Sequence, residues 1–119
     1  MQAMLLVALG GAVGSVARYG AGVAAARWFG LAFPWGTLTV NIIGGIAMGL
    51  LAARVGPDHE NARLLIGTGL LGGFTTFSAF SLETVRLMEQ QPGLAALYAL
   101  ASLVLSVGGC WMGLQLGRV

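Results

Sequence analysis

The sequence predicts an all-α membrane protein, four transmembrane helices packed as a single domain over residues 1–119. Three observations predict it. Hydrophobic residues make up 57% of the chain and charged residues only 8%, against about 25% charged in an ordinary soluble domain, so the polar surface is too small to face water. The apolar residues fall into four runs, each close to the ~20 residues that carry a helix across a bilayer. Short connections rich in Pro and Gly separate the runs, and these residues punctuate helices.

The first run spans 3–26. Nothing basic precedes Leu5 and the run is too long for the apolar core of a signal peptide, so it is expected to stay in the mature protein. Gly10, Gly14, Arg18 and Gly22 recur four apart, which places Arg18 on the packed face. An arginine near mid-membrane costs about 2.5 to 3.5 kcal/mol unless it snorkels or meets a watery recess. Arg18 therefore either anchors the helix or supplies vestibule electrostatics. The connection that follows is crowded with Trp28, Phe29 and Phe33, next to Trp35, as interfacial anchors are.

The second run spans 35–53 and repeats the four-residue spacing with Thr37, Asn41, Gly45 and Gly49. The strongest hydrogen-bonding group on that face is the Asn41 amide, suited either to an interhelical bond or to a pore wall. A polar connection with Gly56-Pro57-Asp58 leads to the third run, 64–88. Its Gly67-Thr68-Gly69-Leu70-Leu71-Gly72 spells a dinucleotide fingerprint, but that motif needs a strand and a βαβ unit, which membrane-length runs do not offer. Gly69, Gly72 and Gly73 standing before Thr75-Thr76 instead predict a third helix broken near its middle. Non-helical backbone at membrane depth is tolerated only when buried in protein or lining a polar cavity, so such a break marks a functional centre. Beyond it Phe77 and Phe80, three apart, are interleaved with Ser78 and further hydroxyls.

The fourth run spans 94–116, after Pro92-Gly93, and carries Tyr98, Ser102 and Ser106 along one face. Bonding back to helix carbonyls would satisfy the serines without function. A constant spacing favours a hydrated track.

Composition excludes several chemistries. There is no lysine, one histidine (His59) and one cysteine (Cys110), which removes a zinc cluster, a disulfide framework, a Schiff-base lysine and a P-loop. His59 stands alone in a connection with no nucleophile beside it in sequence, so no enzyme is expected. A net charge of +2 is too thin for nucleic acid. No acid precedes Asp58, and the deep charge of the first run is positive. Cation pathways show acidic rings, whereas amides, hydroxyls, an arginine and aromatic edges favour a small anion. Arg54, Arg63 and Arg118 fall on one side of the membrane against Arg27 and Arg86 on the other. That near balance leaves orientation open: it permits two copies to pair upside-down, or a weak preference for one orientation.

Gly10-Gly11-Ala12-Val13-Gly14-Ser15-Val16-Ala17-Arg18-Tyr19, Gly36-Thr37-Leu38-Thr39-Val40-Asn41-Ile42-Ile43-Gly44 and Gly72-Gly73-Phe74-Thr75-Thr76-Phe77-Ser78-Ala79-Phe80-Ser81-Leu82-Glu83, in this order, resemble the Fluc/CrcB family of microbial fluoride channels over essentially the whole chain. The resemblance implies fluoride as the ion, an antiparallel dual-topology homodimer with two pores in the bilayer of the inner membrane, and a structural Na+ (sodium) at the dimer centre. It also implies that Asn41, Phe77 and Phe80 line the pore, that Tyr98, Ser102 and Ser106 form a polar track, and that backbone carbonyls of Gly72 and Thr75 hold the sodium. Thr37 and Ser78 are the further candidates for the lining. Ala79 departs from the family, which commonly has threonine there. The rival is a small dual-topology multidrug-type exporter, whose relatives resemble one another in a first-span glutamate; here Arg18 occupies that span and no acid does.

Overall fold

The computed structural model describes residues 1–119. Four helices long and apolar enough to cross a membrane run Gln2–Phe29, Trp35–Arg54, Glu60–Gln90 and Pro92–Arg118. They extend slightly beyond the apolar runs at most ends, because polar and aromatic residues there continue the helical turn. The first helix stops at Gly30, whose φ of 79° favours glycine and whose N–H still bonds the Ala26 carbonyl at 3.0 Å. Pro92 opens the fourth helix at the position where a missing N–H costs nothing. Arg27, Arg54 and Arg118 each lie in the last turn of a helix, where the positive charge complements the macrodipole. Arg54 also donates from Nε to the Gly117 carbonyl at 2.6 Å, tying the ends of the second and fourth helices together.

Two helix pairs dominate the packing: the second with the fourth, and the first with the N-terminal part of the third. Small residues allow both. A Cβ on Gly45 would come within 2.6 Å of the Ser106 carbonyl, and one on Gly49 would strike the Cys110 carbonyl. Gly10 and Gly14 lie as close to the backbone of Leu65 and Leu70, and Gly73 to Gly11. Lipid offers no hydrophobic drive between helices, so backbone approach of this kind is what holds them. A small cluster of Leu38, Leu87, Ala95 and Tyr98 forms the one fully buried apolar core.

The third span is the irregular one. Residues Arg63–Leu71 are π-helical, with the Gly72 N–H reaching back to the Gly67 carbonyl. One α-helical turn, Gly72–Phe74, follows; Thr75 is extended at φ −86°, ψ 159°, and helix resumes over Ser78–Gln90. The fingerprint-like run lies in the π-helix up to Leu71, with Gly72 opening the turn that follows and no strand in the chain to support a nucleotide fold.

Candidate functional site

The backbone around Thr76 is held by side chains from its own and a neighbouring helix. Asn41, on the second helix, donates from Nδ2 to the Thr76 carbonyl at 3.0 Å and accepts the Thr76 N–H on Oδ1 at 2.8 Å. One amide thus satisfies both polar groups of a residue that has left the helix, where leaving them unpaired would cost roughly 1 to 3 kcal/mol each. The Thr76 hydroxyl accepts the Ala79 N–H at 3.1 Å, as an N-cap does, and starts the next helix. On the other side of the break, Thr75 returns its hydroxyl proton to the Leu71 carbonyl. Arg18 reaches across from the first helix and donates from Nε to the Gly73 carbonyl at 3.1 Å. Arg18 is half-buried; the bond fixes its guanidinium beside this stretch of the third span.

Against this stretch lies a cavity of about 420 Å³ lined by Asn41, Phe77, Phe80, Ser102, Ser106 and Cys110, with Thr75, Thr76 and the flank of Gly44 and Gly45; Met48, Leu71, Leu103 and Val107 complete a largely apolar wall. Five of the sequence-derived lining residues therefore meet in one place. Only one Asn41 amide hydrogen is needed by Thr76, so the second remains for the cavity. The Ser102 and Ser106 hydroxyl oxygens are buried and have no hydrogen-bond partner. They do not bond back to the helix, as Ser81 does to Phe77 and Thr84 does to Phe80. The two phenyl rings sit 5.5 Å apart at 53° but in unlike settings: Phe77 is 77% exposed, while Phe80 packs on Tyr98.

Three candidates lie apart from the cavity lining. Tyr98 is fully buried behind Phe80 and donates its hydroxyl to Glu83 Oε1 at 3.0 Å. Thr37 donates to the other oxygen, Oε2, also at 3.0 Å. Ser78 is exposed and shares a 3.3 Å contact with the Thr76 hydroxyl. The row expected from Tyr98 to Ser106 is thus divided between a half-buried carboxylate cradle and the cavity. Glu83 was absent from the candidate lining; its position beside Thr37 joins residues 46 apart in sequence, which no local spacing reveals. Gly72 is exposed on the surface of the chain, and the extended Thr75 has no backbone donor to its carbonyl.

A family model described as CrcB-like protein, Camphor Resistance (CrcB), matches residues 5–114. The protein named fluoride-specific ion channel FluC from Phenylobacterium zucineum (strain HLK1) is 52% identical over 123 residues, covering 99% of this chain and 97% of that protein. The protein of the same name from Agrobacterium fabrum (strain C58 / ATCC 33970) is 54% identical over 118 residues, covering 95% and 94%. That from Caulobacter sp. (strain K31) is 52% identical over 123 residues, covering 99% and 96%. These relatives are ion channels by name, not enzymes. On a match that runs through all four helices, the chain belongs to the CrcB-like family that its motifs resemble.

Proposed function

We propose that the chain is a fluoride-selective channel that exports fluoride by passive conduction across the inner membrane, as an antiparallel dual-topology homodimer with two pores. The observation that carries this reading is the pair of buried, unpartnered hydroxyls of Ser102 and Ser106 in a cavity shared with Asn41, Phe77 and Phe80. Buried polar groups ordinarily find partners, and two that lack them beside an otherwise largely apolar cavity call for water or an ion.

Fluoride is small and strongly hydrated, so a pathway must replace its water hydrogen bonds closely. The free Asn41 N–H and the serine O–H groups are donors of the right kind. Phe77 and Phe80 add the positive edges of their rings, which attract an anion lying in the ring plane. The Arg18 guanidinium, held at the Gly73 carbonyl outside the cavity lining, supplies positive charge beside the break in the third span. Glu83 is the one acid close to the path, and Thr37 and Tyr98 occupy its oxygens with donors. The exporter reading finds no support: the first span holds no acid to carry a proton.

The break in the third helix has a second use in this reading. The carbonyls of Gly72 and Thr75 fit a sodium ion shared between subunits, since Thr75 withdraws its carbonyl from the helical ladder. Such an ion would supply a fixed positive charge joining the two broken helices. Fluoride efflux from vesicles reconstituted with the purified protein, followed with a fluoride electrode, tests the function. Efflux is expected to exceed that from protein-free vesicles and to leave chloride behind; equal rates for the two ions would refute fluoride selectivity.

A further inference from the structure

The thiol of the single cysteine belongs to neither the helix contacts described above nor the carboxylate cradle. Cys110 follows Ser102 and Ser106 at the same four-residue spacing on the fourth helix, and it lines the same cavity. Its backbone is pressed against Gly49, which fixes this part of the helix against the second helix. The residue stays partly exposed and the thiol is free. Independently, the cavity it shares is one that calls for a polar occupant: Ser102 is 7% exposed, yet its hydroxyl, like that of Ser106, has no partner. Two buried donors with no protein partner are a place where water or an ion would be held, although most of the wall is apolar. A half-buried thiol opening on that cavity is within reach of small dissolved reagents, as one sealed in a closed core would not be.

We infer that Cys110 is a modification site on the wall of the ion path, open to small thiol-directed reagents, and that an adduct there closes the path. The inference rests on the channel reading above. With a methanethiosulfonate the chemistry balances without another reactant. The Cys110 proton passes to water, the thiolate attacks the sulfenyl sulfur, a new S–S bond forms, and the S–SO2 bond breaks with methanesulfinate leaving on its electron pair. A sulfonatoethyl adduct places both bulk and a negative charge beside Ser106. Either hinders an anion, and the charge does so over a longer reach.

The test uses the full chain in vesicles and measures fluoride efflux before and after sulfonatoethyl methanethiosulfonate, with intact-mass analysis of the same sample. In the unsubstituted protein the adduct mass appears and efflux falls at least tenfold; dithiothreitol restores both. Methyl methanethiosulfonate, which adds bulk without charge, lowers efflux less. In Cys110→Ser no adduct forms, and the reagent leaves that variant's own efflux as it was. An adduct with unchanged efflux would put Cys110 outside the path, and an unlabelled thiol in a conducting protein would put it out of reach; either overturns the inference while leaving the channel reading intact. Absence of efflux before any reagent would defeat the channel reading, and this inference with it.

Discussion

A serine on a membrane helix ordinarily returns its proton to a carbonyl one turn back, as Ser81 does at 2.8 Å. Ser102 and Ser106 do not, although both hydroxyl oxygens are buried. This sets apart two roles that a mutation usually confuses. Replacing both by alanine removes no bond within the protein and relieves two unmatched polar groups, so the doubly substituted protein should be at least as stable as the original. If the hydroxyls bind the passing ion, efflux should drop about tenfold, the equivalent of ~1.4 kcal/mol. Thermal unfolding in detergent and fluoride efflux per folded protein separate the cases; lost stability with full efflux would make the serines structural. Asn41 is less separable, because its amide both faces the cavity and holds Thr76 in place.

At the level of the helix, the small residues make unequal demands. Gly49 has no room for a methyl group, since its Cβ would meet the Cys110 carbonyl, whereas nothing approaches Gly108. Gly49→Ala should therefore cost about 1 to 3 kcal/mol by overpacking the pair of second and fourth helices. Gly108→Ala should instead gain up to ~1 kcal/mol from the better helix former. A melting temperature that moves the same way in both variants would show that close packing at Gly49 is not the reason for the glycine. The four helices were legible because an apolar run of membrane length has few other uses. Part of the cavity lining was legible too, since Asn41, Ser102 and Ser106 are polar where lipid would expel them. The π-helical turn over Arg63–Leu71 was not legible: it changes which carbonyl each N–H meets and leaves the hydrophobic pattern much as it was. The Glu83 cradle was also hidden, because two of its members, Thr37 and Tyr98, come from different helices and meet only after folding. The unlike settings of Phe77 and Phe80 belong with it, since equal spacing cannot say which ring finds a neighbour.

For the whole molecule, the open question is what covers a chain in which only 16 of 119 residues are buried. Lipid suits the exposed Leu5, Leu9, Val13 and Val16, but the broad exposure of Phe77 beside the cavity that holds the unpartnered serines suits a second protein surface better. The arginines bear on how that surface would be oriented. Arg27, Arg54 and Arg118 sit in last turns, where the helix end itself favours them, and because successive helices alternate in direction these positions fall on both sides of the membrane. Helix ends thus put basic charge on both sides, Arg27 on one and Arg54 with Arg118 on the other, and weaken any instruction to insert one way, which is the condition for two orientations from one sequence. Adding four or more lysines to one terminus should override that balance. A protein locked this way and expressed alone should give vesicles with little fluoride efflux, and co-expression with an oppositely locked copy should restore it. Parallel dimers or single chains would conduct when locked, so full efflux from one locked orientation, with insertion verified by protease protection, would exclude the antiparallel pair.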